Sequence, residues 1–343
     1  MYHFCTYFDS GFLVRALALH QSLLRHAQPF VLHALCLDKN AHDTIVAMND
    51  PNLRPISLDE LEEADPRLAQ TKRNRSTVEY YFTCTPALPR HVLRIHPEID
   101  AITYLDADLY FFAGPGPIYQ ELGDESVAII RHRFASRLRH FERYGVFNVG
   151  LLVFRNDQRG RACLNWWHEQ CLNWCYDRVE PHRFADQKYL DVWPDRFEGV
   201  VELNHNGANL APWNLENFRI REKNGEIFVD HDQLIFFHFH RLKWIGPGLY
   251  DHGFSQYGTV AQPLVLKKIY RPYLRELRSL MKRYPQSRMG NRRLMAPGNH
   301  RELIRTLIHG RSLLNVGPIA QELHLKPLAR PLLRLRQNVR KAA

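Results

Sequence analysis

Two carboxylates, Asp106 and Asp108, stand two residues apart in the otherwise apolar and aromatic segment AITYLDADLYFF, residues 101–112. Removing an unpaired carboxylate from water is costly, so a buried strand should either end here or hold something cationic beside the two acids. Hard divalent cations prefer carboxylate oxygens and commonly take one or two of them together with phosphate oxygens. The pattern therefore predicts Asp106 and Asp108 as ligands of Mn²⁺ or Mg²⁺ on a diphosphate. A solvated turn capped by aspartate is the alternative.

Two histidines alternate with phenylalanines in the later segment FFHFHRLKW, residues 236–244. On a strand, His238 and His240 would point to the same side, because successive side chains alternate between the two faces. A neutral imidazole is a common metal ligand. We expect His238, rather than His240, to complete the metal site opened by the two aspartates. A hydrogen-bonded core histidine is the alternative.

The elements that would position these residues alternate between strand and helix patterns. Such alternation predicts an α/β fold with a mostly parallel sheet flanked by helices, in which ligands bind at the carboxyl ends of strands. The DSG and DAD segments both follow predicted strands, so we expect them to face one crevice. The first segments are the strand YHFCTYF, the helix FLVRALALHQSLLRH, the strand PFVLHALCLD, the helix NAHDTIVAMND, the strand and loop LRPISLDELEE, a helix in RSTVEYYFTCTPALPRHVLRIHPEID that breaks or ends near Pro86 and Pro89, and the strand AITYLDADLYFF.

The later segments continue the same pattern to about residue 245. We expect Trp166, Trp167 and Trp174 to pack in the core, because they fall at helical spacing. Trp193 and Trp213 fall in predicted loops, where flanking an acceptor sugar is the less favoured interpretation of their role. The segments are the strands SVAIIRHRF and VFNVGLLVFRN, the helix GRACLNWWHEQCLNWCYD, the short helix and loop DQKYLDVWPDRF, and the strand HDQLIFFHFHRLKW.

The composition is that of a globular chain of 343 residues, with 45% hydrophobic and 12% aromatic residues. The six cysteines are scattered, and the CxxxC pair Cys171 and Cys175 has no second pair after it. This spacing favours apolar cysteines in a reducing compartment over a zinc site. The N-terminal residues resemble no secretion signal, and we expect no membrane-spanning segment.

The positive charge is concentrated at the C-terminal end. Residues 261–343 carry 19 Lys and Arg against 3 Asp and Glu, within a chain of net charge +10. We therefore predict two regions, a catalytic domain over 1–261 and a basic helical extension over 262–343. Its leucine- and arginine-rich segments favour an anionic membrane surface as partner, with packing on the domain as the alternative. The extension lacks the interleaved aromatic residues of single-strand platforms, so nucleic acid is not expected.

Several segments occur in the order found in a known family. YLDADLYFF resembles the metal-binding signature of GT-A glycosyltransferases, in particular the retaining family 8. The resemblance covers roughly the first 245 residues and implies the Rossmann-like GT-A fold and the use of a nucleotide sugar. The other similar segments are TYFDSGFLVRALALHQSLLRH, RSTVEYYFTCTPALP, GVFNVGLLVFRND, DQKYLD and FFHFHRLKW.

The resemblance implies a nucleotide site built from five residues. Asp9 would accept a hydrogen bond from uracil, and Phe12 or Tyr7 would stack on the base. Capping of the following helix is the alternative for Asp9. Arg75 and Lys243 would bind the diphosphate, for which their charge and donors are suited; a surface cation is the alternative for Arg75.

The resemblance also implies a group of polar residues on the sugar side. Asn148 would contact sugar hydroxyls, with closure of a turn as its alternative. Asp186 and Gln187 would bind donor hydroxyls near the anomeric carbon, with helix capping as theirs.

These expectations combine into a metal-dependent glycosyltransferase. It would move a hexose-type sugar from a UDP-sugar to a hydroxyl of a glycan or lipid-linked acceptor, with retention, in cell-surface polysaccharide synthesis. The expected location is the cytoplasm, including the inner face of the cytoplasmic membrane. A sugar nucleotidyltransferase is an alternative, but YFDSGFLVR lacks its glycine-rich phosphate loop. A non-catalytic sugar-nucleotide or polysaccharide binding protein is another.

Overall fold

The computed structural model describes residues 1–246, 249–285 and 313–315. The strands, numbered along the chain, are β1 (Tyr2–Phe8), β2 (Phe30–Cys36), β3 (Leu53–Ser57), β4 (Ala101–Leu105), β5 (Leu109–Phe111), β6 (Val127–Arg131), β7 (Phe147–Arg155), β8 (Val200–Glu202), β9 (Ile220–Lys223), β10 (Glu226–Val229), β11 (Asp232–Gln233), β12 (Phe236–His238), β13 (Lys243–Gly246), β14 (Leu249–Asp251) and β15 (Leu313–Asn315).

The α-helices are α1 (Leu13–His26), α2 (Lys39–Met48), α3 (Leu58–Ala64), α4 (Pro66–Thr71), α5 (Thr77–Ile95), α6 (Gly116–Leu122), α7 (Gln158–Asn173), α8 (Trp193–Arg196), α9 (Phe254–Tyr257), α10 (Pro263–Val265) and α11 (Arg271–Arg283). Within the described residues, three 3₁₀ helices cover Ser136–Tyr144, Lys188–Val192 and Leu215–Asn217, and one π-helical turn covers Leu266–Tyr270.

The central sheet has seven strands in the order β3-β2-β1-β4-β7-β6-β8. Strands β1 to β4 are parallel, β7 is antiparallel to both of its neighbours β4 and β6, and β8 is parallel to β6. The expected α/β architecture, a mostly parallel sheet flanked by helices, is therefore confirmed. Strands β1 and β4 are neighbours, so the residues that follow them, Asp9 and Asp106, lie at the same edge of the sheet.

Hydrophobic clusters cover both faces of this sheet. One cluster joins the sheet to α1 and α11. The other joins it to α5 and α7, and includes Trp167, Trp174 and Trp193. The core position expected for Trp167 and Trp174 is confirmed, whereas Trp193 is fully buried and does not flank an acceptor groove.

Helix α5 differs from the sequence prediction, because it runs through both Pro86 and Pro89 without ending. An interior proline costs a helix about 3 kcal/mol through a lost hydrogen bond and a clash. Both rings are buried with the helix's apolar face, and a capping box between Ser76 and Glu79 satisfies its N-terminus. Burial of this face therefore outweighs the local penalty.

The segment predicted as a loop after β3 is also helical. Ser57 accepts a hydrogen bond from the N–H of Glu60, which caps α3. The Ser-x-x-Glu spacing was the sequence signal for this helix.

The segment predicted as one strand over residues 101–112 forms two strands separated by the D-x-D turn. Strand β4 belongs to the central sheet, while β5 pairs antiparallel with β12 in a separate two-stranded sheet. In this register Leu109 lies opposite His238. The pairing brings the end of the predicted histidine strand next to the D-x-D turn.

Helix α11 packs against α1 and belongs to the same hydrophobic cluster as the sheet. Its buried residues include Tyr273, whose ring stacks on Phe239 with the ring centres 3.8 Å apart. The predicted boundary at residues 261 and 262 stays a prediction, because most of the basic extension lies outside the described residues. Among the described residues, none of the helices combines the length and apolar character that crossing a bilayer requires.

Replacing a buried α11 side chain should destabilise the whole domain. Leu277 is fully buried, so we expect Leu277→Ala to lower the free energy of unfolding by about 3 kcal/mol through lost burial and a residual cavity. Urea unfolding measures this, with the exposed neighbour Arg275→Ala as the matched control. Equal midpoints for the two variants would show that α11 is not part of the domain core.

Candidate active site

The D-x-D turn and the histidine segment meet at the carboxyl edge of the sheet. Nε2 of His238 lies 3.2 Å from Oδ1 of Asp108 and 3.7 Å from Oδ2 of Asp106. Ligand atoms of Asp108, His238 and His240 all lie within 4.8 Å of one another. The structure thus brings together the three residues predicted to hold a metal, and His240 lies beside them.

A chain of hydrogen bonds holds His238 from behind. Oδ1 of Asn148 accepts from the N–H of Gly150 at 3.2 Å and faces Nδ1 of His238 at 3.3 Å. Nδ2 of Asn148 faces Nε2 of His132 at 3.2 Å, and Nδ1 of His132 faces the C=O of Val146 at 3.2 Å. We refer to these groups as the His132–Asn148 relay.

Two backbone groups, the N–H of Gly150 and the C=O of Val146, determine which atom donates and which accepts in every hydrogen bond of the relay. The N–H of Gly150 can only donate, so the atom it meets is the amide oxygen of Asn148. The amide nitrogen must then donate to Nε2 of His132, whose Nδ1–H donates to the carbonyl of Val146. Nδ1 of His238 must likewise donate, which leaves Nε2 of His238 facing the two carboxylates. A cation at that nitrogen, either a proton or a metal ion, would satisfy all three groups.

The electrostatics agree with a cation between these side chains. Burial lowers the pKa of His238, but the contact with the Asp108 carboxylate outweighs burial and the net shift is upward. Burial raises the pKa of Asp106, which Asp108 raises further. Burial lowers the pKa of His132 to about 3 and that of His240 to about 4, so both imidazoles are neutral at pH 7.

Gly150 allows this close approach. A Cβ atom at this position would lie 2.6 Å from Oδ1 of Asn148 and 2.9 Å from the ring of His238. Both are shorter than normal contacts, so one side chain would have to move. The glycine in FNVGLLVF is therefore needed by the site.

Asp186 is a buried carboxylate, only 5% exposed. Burial raises its pKa to about 7, with a further increase from Asp106 and an opposing hydrogen bond from Thr85. Ala185 holds the preceding backbone at φ 46°, a conformation that costs a non-glycine residue energy. The backbone C=O of Asp186 accepts from the indole N–H of Trp167 at 2.8 Å, which fixes the segment in place.

Gln187 lies on the other side of the relay. Its Oε1 is 3.5 Å from Nδ2 of Asn148, and its Nε2 donates to the C=O of Tyr144 at 3.1 Å. Asn148 therefore belongs to the relay and Gln187 contacts it, whereas Asp186 interacts electrostatically with Asp106 of the D-x-D turn.

The residues predicted to contact the nucleoside follow or end β1. The carboxylate of Asp9 accepts from the N–H of Phe12 at 3.1 Å in the turn before α1, and no side chain caps the helix itself. The nucleotide contact of Asp9 stays a prediction. Phe12 is 42% exposed, which leaves its ring available for stacking. The hydroxyl of Tyr7 accepts from Thr85 at 3.3 Å, and its ring packs near Tyr104.

Arg75 and Lys243 are the two cations predicted at the diphosphate. The guanidinium of Arg75 lies 3.8 Å over the ring of Tyr176 and donates to the C=O of Leu172 at 3.4 Å. Lys243 is exposed at the start of β13. Their assignment to the diphosphate stays a prediction.

The acceptor-side position considered for Trp213 is wrong, because this residue is buried. Its ring packs edge-on against His132, His238 and His240, with ring centres 5.4, 5.2 and 5.6 Å away. Its indole N–H donates to the C=O of His132 at 2.8 Å. Trp213 supports the histidines and is not a free stacking surface.

Sequence reasoning missed two residues at the site, His132 and Thr85. Their partners lie in distant segments, so local spacing carries no signal for either.

Curated relatives identify the family of this chain, although no protein-family model matches it. It is 29% identical over 280 residues to the Bacillus subtilis (strain 168) protein named Uncharacterized protein YfnD, covering 81% of this chain and 89% of the relative. It is 33% identical over 248 residues to Uncharacterized protein YfnF of the same organism, covering 69% of this chain and 80% of YfnF. The chain belongs to the YfnF family.

A solved structure shows the fold of this YfnF-family chain. The crystal structure of the galactosyltransferase LgtC in complex with donor and acceptor sugar analogs matches 83% of this chain and 99% of LgtC, with a TM-score of 0.53 and 16% identity. The likeness and the sheet topology show that this YfnF-family member has the GT-A glycosyltransferase fold.

Neutralising Asp186 should stabilise the protein most at high pH. The carboxyl is protonated in the folded state up to pH of about 7 but only to about 3.8 when unfolded, so stability falls as pH rises between these values, by about 4 kcal/mol. Asp186→Asn cannot ionise and escapes this loss. Urea unfolding at pH 5 and pH 8 should show a larger gain at pH 8, whereas the exposed control Asp177→Asn should show no such trend. An equal gain at both pH values would contradict the raised pKa.

Adding a methyl group at Gly150 should disturb the relay. We expect Gly150→Ala to weaken Mn²⁺ binding about tenfold or more, because ligand orientation by neighbouring hydrogen bonds is worth this much. Titration followed by Mn²⁺ electron paramagnetic resonance measures the affinity. Gly116→Ala is the control, since its added Cβ meets only the hydroxyl of Tyr2 at 3.9 Å. Unchanged affinity in a folded Gly150→Ala protein would refute the role given to the relay.

Proposed function

We propose that this protein is a metal-dependent glycosyltransferase of the retaining family 8 type, transferring a hexose-type sugar from a UDP-sugar to an acceptor hydroxyl. The observation that carries the proposal is the position of His238, whose Nε2 faces Asp106 and Asp108 at the carboxyl edge of a GT-A sheet. This is the edge at which open α/β sheets bind ligands.

The donor set fits a divalent ion of the Mn²⁺ or Mg²⁺ type. Asp106 and Asp108 offer carboxylate oxygens, and the relay leaves a lone pair on Nε2 of His238 once its proton is displaced. A mixed set of oxygen and nitrogen ligands favours Mn²⁺ over the harder Mg²⁺. A bound divalent ion supplies Lewis-acid stabilisation of negative charge on a departing diphosphate.

The chain's own residues bind and orient the donor. In this proposal Asp186 and Gln187 hold hydroxyls of the donor sugar, and Asn148 contacts the same sugar from the relay. These side chains are anchored by neighbouring backbone, so little orientation entropy is lost when the sugar binds. Asp186 has a pKa of about 7, so near neutral pH it can donate to a sugar oxygen when protonated or accept from a hydroxyl when ionised.

The nucleoside belongs beside the first strand. Phe12 offers an exposed ring, and Tyr7 and Asp9 lie at the end of β1. Arg75 and Lys243 remain proposed contacts of the diphosphate. A glycan or lipid-linked acceptor would enter next to Asp186 and Gln187, in the synthesis of a cell-surface polysaccharide.

The proposed membrane contact depends on the basic extension. RELIRTLIHGRSLL and LARPLLRLRQNVRK, the segments that suggest it, lie outside the described residues apart from the start of β15. The cytoplasmic location, peripheral at the inner membrane face, is part of the same proposal. Liposomes containing anionic lipid should retain the full chain, and neutral liposomes should not.

Incubating the protein with UDP-sugars and Mn²⁺ tests the proposed reaction. We expect slow release of UDP from one donor of a panel and its loss on chelation of the metal. Asp108→Asn removes one ligand charge and should reduce UDP release about 100-fold or more. The exposed carboxylate variant Asp124→Asn is the control and should keep full activity.

The products separate the proposal from its alternatives. Pyrophosphate release with formation of a sugar nucleotide would indicate a nucleotidyltransferase. Binding of a UDP-sugar without turnover would indicate a binding protein. Undiminished UDP release by Asp108→Asn would reject the metal site itself.

A further inference from the structure

Helix α1 carries a cation in its first turn that none of the roles above uses. The guanidinium carbon of Arg15 lies 4.3 Å from the centre of the exposed Phe12 ring. A positive charge in the first turn of a helix is opposed by the helix dipole, so helix stability does not account for an arginine here.

Hydrogen bonds place Arg15 next to the D-x-D turn. Its Nη2 donates to the C=O of Leu242 at 2.6 Å. The N–H of Leu242 donates to the C=O of Phe239 at 3.2 Å, and the N–H of Phe239 donates to the C=O of Asp108 at 3.0 Å.

Arg15 therefore lies between the two ends of the proposed donor site. On one side is Phe12, the ring proposed to contact the base. On the other is Asp108, the carboxylate proposed to hold the metal. In a nucleoside-diphosphate sugar, the group between the base and the metal is the diphosphate.

The remaining donor groups of Arg15 are suited to that diphosphate. Its Nε is buried without a hydrogen-bond partner among the residues that the structure describes. Nε of Arg75 likewise has no partner among the described residues, but its guanidinium stacks on Tyr176 and donates to Leu172. A guanidinium with donors to spare matches phosphate oxygens in charge and geometry.

We propose that Arg15 binds the diphosphate of the donor, between the nucleoside and the metal. This inference rests on the proposed function. It assigns to Arg15 the phosphate contact that the family resemblance assigns to Arg75 and Lys243.

Calorimetric titration of the full chain with three probes tests this role. The probes are Mn²⁺ with inorganic pyrophosphate, Mn²⁺ with UDP, and uridine alone. We expect Arg15→Ala to weaken the first two about tenfold or more, because a charge-assisted hydrogen bond is lost, and to leave uridine and Mn²⁺ affinity unchanged. Arg15→Lys should recover part of the loss. Arg25→Ala, on the same helix but bonded to Tyr110 and Glu276, should bind all probes like the wild type.

Each alternative outcome of the titrations contradicts a specific part of the proposals. Equal pyrophosphate affinity in the wild type and Arg15→Ala would overturn the proposal. Parallel losses for pyrophosphate, uridine and Mn²⁺, with a lower melting temperature, would overturn it in favour of a structural role through Leu242. If the wild type binds pyrophosphate but does not bind UDP, the UDP donor is rejected. The comparison of pyrophosphate affinities between the wild type and Arg15→Ala then decides the role of Arg15. A wild type that binds neither probe would overturn both proposals.

Discussion

The orientation of His238 depends on two backbone groups that cannot exchange their hydrogen-bonding character. The N–H of Gly150 and the C=O of Val146 fix the amide of Asn148 and the tautomer of His132 between them. The arrangement of this corner follows, because Nε2 of His238 is then the nitrogen that faces Asp106 and Asp108. Buried polar chains of this kind are strong only when each member is satisfied.

The same corner is unfavourable to the fold. Asp106 and Asp186 are carboxylates whose pKa values are raised chiefly by burial, and Ala185 adds backbone strain beside them. Such costs persist only where the surroundings over-determine the structure. Here the surroundings are the two clusters that cover the sheet, one of which includes helix α11. The packing of helices far from the site therefore holds the site residues in conformations and protonation states that are unfavourable in isolation.

The sequence predicted the sheet well because strand and helix patterns are local and periodic. It also indicated Asp106, Asp108 and His238, since strong apolar flanks made these polar residues conspicuous. It failed where distant contacts decide the outcome. Burial of its apolar face lets helix α5 continue through Pro86 and Pro89, and hydrophobic packing buries the side chain of Trp213. His132 could not be found, because its role exists only through Asn148 on another strand.

The two-stranded sheet of β5 and β12 joins segments that are far apart along the chain. Closing so long a loop is entropically slow, and parallel sheets fold slowly for the same reason. During synthesis the aspartates leave the ribosome well before the histidine that faces them. A nascent or prematurely terminated chain therefore holds its two aspartates without His238. The proposed metal site is complete only when the late strand has paired with β5, so ion binding would report that this segment has folded.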